Sequence, residues 1–271
     1  MGAPANPFDS PEAALARATQ ADPLIMYVVV RRDAPATLAG LAEAGAAAVM
    51  TCADRFEHKP EFAEAFAEWR AKSFRKVVLR ASAREWERLL SQEPCAVFRG
   101  YSADPLTLGE GLTAALPPMR KSAASPLVRG LQVYNVDPAD LEPGFCPPSD
   151  TLQPSVLLAA NPGVAMSAGK LMAQVGHAAL MVTEAAERPG MDEPWVRAVA
   201  HWRSVGCRVA FIPASQAGWA AAVETLPCVV VRDAGLTEVE PGSRTVIALR
   251  PSDGAERDSW ARLLAGDPGR S

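Results

Sequence analysis

The chain has 271 residues, 49% hydrophobic and 21% charged, which exceeds one typical domain and supplies ample core, so two globular domains are expected. Its net charge of −4 argues against a broadly basic nucleic-acid surface, although 22 Arg against 5 Lys leave room for a local phosphate-binding strip; Arg197, Arg203, Arg208 and Arg244 are candidates for it, and solvated surface arginines are the commoner reading. No apolar run reaches the ~18 residues of a membrane span, so no membrane partner is expected.

Residues 1–22 are polar and Pro/Ala-rich and read as an extension; they lack the basic start and apolar core of a signal peptide, and a cytoplasmic protein is expected. An apolar β run at 24–30 opens a first domain, 23–134. An Ala-rich helix follows at about 37–51, then a helix at 60–71 carrying Trp69, a strand at 76–80, a helix containing Trp86 and a strand at 95–99. Residues 135–154 are proline-rich and read as a linker. The second domain, 155–271, repeats the order: strand 156–160, helix 167–187, helix 194–205, strand 208–213, a helix containing Trp219, and strands 228–232 and 244–250.

The recurrence extends to single residues. Trp69, Ser82, Trp86 and Cys95 return as Trp202, Ser215, Trp219 and Cys228, each 133 positions later, while Gly45 and Met50 align with Gly176 and Met181 at 131. Landmarks at so constant a spacing read as a tandem duplication; two unrelated Ala-rich α/β stretches are the blander alternative. Alternating strands and helices predict an α/β class, with two similar small domains.

The cysteines (Cys52, Cys95, Cys146, Cys207, Cys228) form no C-x-x-C pair and read as reduced thiols. The histidines (His58, His177, His201) stand at no metal-ligand spacing, so neither metal nor cofactor is expected.

Two segments carry chemistry. In residues 161–181, NPGVAMSAGKLMAQVGHAALM, a Pro-Gly turn follows a buried strand and Ser167 is placed to cap a helix. Lys170, Gln174 and His177 then share one helix face near its positive end, where an anion is favoured. In residues 232–246, RDAGLTEVEPGSRTV, a strand delivers Asp233 into a loop with Gly235, Thr237, Ser243 and Thr245. A carboxylate and hydroxyls beyond a strand end suit a site in an α/β sheet, and they suit an ordinary turn as well.

In this order the two segments resemble the type 2 peptidyl-tRNA hydrolases, whose pattern is a strand, K-M-G-K-G-K-x-A-A-Q-x-x-H-A, and later D-A-G-x-T-x-x-x-P-G-S/T-x-T-V. Here the stretches are A-M-S-A-G-K-L-M-A-Q-V-G-H-A and D-A-G-L-T-E-V-E-P-G-S-R-T-V. The resemblance covers about residues 155–251. It implies a mixed β-sheet flanked by helices in each domain, and hydrolysis of the ester joining peptide to tRNA, with the 3′ end of peptidyl-tRNA as partner. It places catalytic roles on Lys170, Gln174, His177, Asp233 and Thr237, and substrate contacts on Ser167, Gly169, Gly235, Ser243 and Thr245. Two of the pattern's three lysines are Ala165 and Ala168, and the arginine common after D-A-G is Leu236. Those losses keep open a weakened or inactive member that binds RNA or a nucleotide or acts as an interaction module, and a hydrolase of another ester or amide.

The first half has lost more. At a spacing of 131, Lys170, Gln174 and His177 correspond to Ala39, Glu43 and Ala46, and at 133 Asp233 corresponds to Gly100. That half is expected to pack on the other as an intramolecular pseudo-dimer without chemistry of its own.

Overall fold

A computed structural model describes residues 21–33, 37–98, 113–144 and 153–266. Gly100, Cys146 and residues 145–152 of the proline-rich segment lie outside them. In the first half β1 (Leu24–Arg31), α1 (Leu38–Phe56), α2 (Pro60–Glu68), β2 (Arg75–Ala81), α3 (Ala83–Gln92) and β3 (Ala96–Phe98) follow the order read from the sequence. The short strands β4 (Thr113–Ala115), β5 (Met119–Arg120) and β6 (Gln132–Val133) and the helix α4 (Pro126–Gly130) are additions. The second half contains β7 (Val156–Ala160), α5 (Ala168–Ala186), α6 (Glu193–Ser204), β8 (Val209–Phe211), α7 (Gln216–Thr225), β9 (Cys228–Arg232), β10 (Arg244–Leu249) and α8 (Gly254–Ala265).

Both halves are α/β units built on mixed sheets. The first sheet runs β3-β4-β1-β2-β6 with β5 beside β1, and the second runs β8-β7-β10-β9. Taken as β2-β1-β4-β3, the first sheet contains the order of the second with the same directions: β1 is parallel to β2 as β7 is to β8, and the remaining pairs are antiparallel. Register repeats as well. Ala96 faces Ala115, and 133 positions later Val229 faces Ala248.

Local details recur at the same spacing. Trp69 and Trp202, both fully buried, donate their indole N–H to the carbonyls of Arg75 and Arg208 at 2.8 and 2.6 Å. Between each pair the backbone passes through a left-handed residue, Phe74 (φ 50°) or Cys207 (φ 55°), the only non-glycine residues of positive φ among those described. Helices α1 and α5 each have 19 residues and are capped by Thr37 and Ser167, 130 positions apart. The caps correct the helix alignment by one residue: Lys170, Gln174 and His177 fall opposite Gly40, Ala44 and Ala47 rather than Ala39, Glu43 and Ala46.

The halves meet through α1 and α5. Close approach depends on Gly45 and Gly176, whose added Cβ atoms would lie 3.0 Å from Met172 Cβ and 2.9 Å from Val49 Cγ2. One apolar cluster runs through both halves, from Val28, Val49 and Trp69 to Met172, Val175 and Trp202, and each sheet has a smaller core on its other face. Polar ties flank it: Arg70 bridges Glu57 and Glu184 at 2.7 and 2.5 Å, and Arg203 pairs with Asp54 at 3.1 Å.

The described start of the proline-rich segment, residues 135–144, is a packed strap. Val136 O accepts from Ala168 N at 2.9 Å at the head of α5, and the carbonyls of Glu142 and Pro143 accept from Leu38 N and Ala39 N at the head of α1, at 2.9 and 3.1 Å. These bonds satisfy amides that a helix start leaves without intrahelical partners. No helix among the described residues is long and apolar enough to cross a membrane.

Candidate active site

Strands β7 and β9 flank β10 antiparallel, so their carboxyl ends emerge at the same edge of the sheet. From β7 the chain turns through residues 161–167 into α5; from β9 it passes directly to Asp233. Lys170 lies in the first turn of α5 and Gln174 one turn further, which aims both toward the aspartate. Lys170 Nζ donates to Asp233 Oδ2 at 2.5 Å and to Thr237 Oγ1 at 3.0 Å. Gln174 Nε2 donates to the same Oδ2 at 2.8 Å. The Gln174 amide is oriented from behind by Thr245, whose hydroxyl donates to Oε1 at 2.7 Å. Gln174, Asp233 and Thr245 are buried, and the Lys170–Asp233 pair keeps side-chain exposures of 11% and 7%.

The loop after Asp233 is pinned around it. Gly235 N donates to Oδ1 at 2.8 Å, Gly242 N donates to the Asp233 carbonyl at 2.7 Å, and Asp233 N donates to Ser243 O at 2.9 Å. Gly235 has φ 72°, and a Cβ there would lie 2.3 Å from Pro241 Cγ, so this turn demands glycine.

Ser167 caps α5 by accepting from Lys170 N at 3.1 Å, but the anion at this helix start is already supplied. Glu238 receives Ser167 N at 2.7 Å and Ser167 Oγ at 2.8 Å. With Ala168 N held by Val136 O, the helix start is occupied by protein groups rather than open to phosphate. Glu238 falls at a variable position of the motif, so the sequence gives no signal for it. Gly169 lies under the strap, where an added Cβ would come within 1.9 Å of Tyr134 O.

His177 points to the other half of the molecule. Its Nδ1 lies 2.9 Å from Lys76 Nζ on β2, and its ring packs on Phe74 at 4.9 Å between centroids. The Lys76 ammonium sits over Phe74 and Trp69, 4.0 and 4.5 Å from the ring centroids. Burial pulls its pKa well below the ordinary lysine range, against the opposing charge of Glu184. A cleft of about 400 Å³ joins these groups, lined by Lys170, Gln174, His177, Asp233 and Thr237 from one half and by Phe74, Arg75, Lys76, Lys121 and Tyr134 from the other. Nothing in the spacing of β2 residues signals that a helix of the second half lies over Lys76. Among the described residues no three His, Cys, Asp or Glu side chains gather as a metal site would require.

The fold and this cluster define an α/β domain that gathers lysine, amide and carboxylate at one sheet edge for polar, charge-stabilised chemistry. A sequence model of the family described as Peptidyl-tRNA hydrolase PTH2 matches residues 155–264. The Peptidyl-tRNA hydrolase of Methanocaldococcus jannaschii is 32% identical over 107 residues, 37% of this chain and 85% of that protein. Those of Halobacterium salinarum and Haloquadratum walsbyi are 31% and 33% identical, covering 38% and 35% of this chain and 89% and 82% of their own lengths. The chain belongs to the type 2 peptidyl-tRNA hydrolase family.

Proposed function

We propose that the chain hydrolyses the ester joining a peptide to the 3′ end of its tRNA, at the cluster formed by Lys170, Gln174, Asp233 and Thr237. The observation that carries this reading is the buried Asp233 carboxylate receiving both Lys170 and Gln174 at the cleft floor, in a chain of this family. An ammonium has three donors. Two of Lys170's are committed to Asp233 and Thr237, and the third is assigned to the oxyanion that forms as water attacks the ester carbonyl. Thr237 accepts from Lys170, so its own proton is free to orient the attacking water. Asp233 holds the lysine and the amide in place, and Gln174, locked by Thr245, keeps the carboxylate from turning. The Asp233 carboxylate takes the proton that the water gives up as it attacks, and collapse of the tetrahedral intermediate breaks the bond to the terminal ribose oxygen, which receives that proton and leaves as the free hydroxyl of tRNA. His177, Gly169 and Ser167 border the path of the acceptor end. Such a reaction serves translation, and we place the protein in the cytoplasm.

The matched topology, paired tryptophans and paired left-handed residues also support a tandem duplication whose first copy has become a non-catalytic cover, the two copies forming an intramolecular pseudo-dimer across α1 and α5.

Purified protein incubated with labelled peptidyl-tRNA is expected to release free tRNA, and Lys170→Ala to lower kcat by about 10²–10³, the usual effect of removing one oxyanion donor. Full activity in that variant would sink the assignment of Lys170. No release by the folded native chain would sink the hydrolase reading itself.

A further inference from the structure

The cleft has a wall that the family-matched domain does not supply. We infer that Arg75 and Lys121, both from the half without the reaction's polar groups, bind backbone phosphates of the tRNA end entering the cleft. The inference rests on the hydrolase reading and extends it to how the substrate is held.

Charge inside the cleft is the first reason. Four cations line it besides Lys76, whose charge burial disfavours, namely Arg75, Lys121, Lys170 and Arg232, against two carboxylates, Asp233 and Glu238, in a chain whose net charge is −4. Lys170 is committed to Asp233 and Thr237, and Lys76 is folded against Phe74, Trp69 and His177. Glu238 is tied to Ser167. Arg75, half-buried at the start of β2, and the exposed Lys121 and Arg232 line the cleft as well. A guanidinium is suited to grip phosphate with two donors, and an exposed ammonium acts as a mobile point charge beside it.

The second reason is steric. Position 168, where the family pattern has lysine, is a fully buried alanine whose amide is held by Val136 O. The neighbouring Gly169 admits no side chain beneath Tyr134 O. The strap therefore lies on the surface from which a lysine at 168 would rise. Tyr134, the residue immediately before that strap, lines the cleft beside β2, so the chain that closes off one cation site runs on from the wall that brings others. The α5 start cannot substitute, because Glu238 already occupies it. Phosphate must then be met by side chains, and those of the first half line the cleft.

The test uses the full chain and the double variant Arg75→Gln/Lys121→Gln. Affinity for deacylated tRNA is read by fluorescence anisotropy over a salt series, and hydrolysis of labelled peptidyl-tRNA is followed in parallel. The expected result is a Kd raised about tenfold or more, and a log Kd against log salt slope reduced by roughly 0.7 to 0.9 for each phosphate no longer neutralised. KM should rise by a similar factor, with kcat the smaller change. The charge-retaining pair Arg75→Lys/Lys121→Arg should bind close to the native chain, which separates the effect of charge from an effect on folding. An unchanged Kd and salt slope in the glutamine pair overturns the inference, as does equal weakening by the charge-retaining pair. If the native chain binds tRNA without releasing it, the hydrolase reading falls and the binding comparison still decides this one. If hydrolysis proceeds and the glutamine pair binds normally, this inference falls alone.

Discussion

Glu43 projects from α1 into the space between the halves, where its Oε1 accepts the Phe211 amide of β8 at 2.9 Å. Burial raises its pKa from 4.5 to about 7, against the lowering effect of that hydrogen bond. A folded-state value above the unfolded one means that the native chain holds the proton more tightly. The stability it contributes is complete below about pH 4.5 and is lost as pH rises through about 7. The full swing is at most about 3 kcal/mol, from 1.36 kcal/mol per unit. Glu43→Gln keeps the acceptor oxygen and removes the charge, so it should melt higher than the native chain at pH 8 and show a flatter pH profile. Parallel profiles for the two proteins between pH 5 and 8 would show that Glu43 does not titrate in this window. At this scale the second half's site is legible: Lys170, Gln174, Asp233, Thr237 and Thr245 lie in motifs whose spacing is set by one helix and one strand end, and the structure brings all five together. Glu43 is not legible. Its burial depends on β8 of the other half, about which a helix pattern says nothing.

Gly169 decides how the strap lies on α5. An added Cβ would meet Tyr134 O at 1.9 Å, a backbone atom that cannot turn aside as a side chain can. Gly169→Ala should lift residues 134–136 from the helix, breaking the bonds from Ala168 N to Val136 O and from Tyr134 N to Val78 O. A cost of about 1–3 kcal/mol is expected, the usual range for overpacking. Thermal melting and faster amide exchange at Ala168 and Tyr134 would report it. Gly130→Ala in α4, where nothing lies within 4 Å, serves as the matched control and should be near neutral. If both variants melt alike, the strap is not held as described. The elements show where sequence reading stops. The long helices announce themselves by apolar period and by the caps Thr37 and Ser167, and β1, β2, β7 and β9 by runs of Val, Ile and Leu. Strand β4 is Thr-Ala-Ala and β6 only Gln-Val, too short and too weakly β-forming to show alternation, although β4 lies between β1 and β3. The one-residue slip in the helix alignment comes from matching Gly45 with Gly176. Both are interface glycines, but they occupy neighbouring rather than equivalent positions, and only the caps reveal it.

The whole molecule has one core through two units, and this separates it from two independent domains on a tether. Met172 rests against Gly45 and Val49 against Gly176, and Lys76 of one half meets His177 of the other. Removing residues 1–152 would bring Met172 and the groove at Gly176 into water, and strip His177 of the lysine and phenylalanine that border it. The exposed helix face needs a replacement cover, and a second copy of the same half offers a surface of the same kind. The excised half, residues 153–271, is therefore expected to self-associate in sedimentation, to melt below the full chain, and to bind tRNA more weakly because Arg75 and Lys121 are gone. The full chain should melt in a single transition, since disrupting α1 also uncovers α5. Were the excised half monomeric and as stable as the full chain, the first half would not be a structural cover. Were it to bind tRNA equally well, the cations of the first half would not hold the tRNA. The two results are separable: a half that dimerises could recover its apolar packing without recovering both cations, because at the 133-residue spacing Arg75 returns as Arg208 whereas Lys121 falls on Gly254.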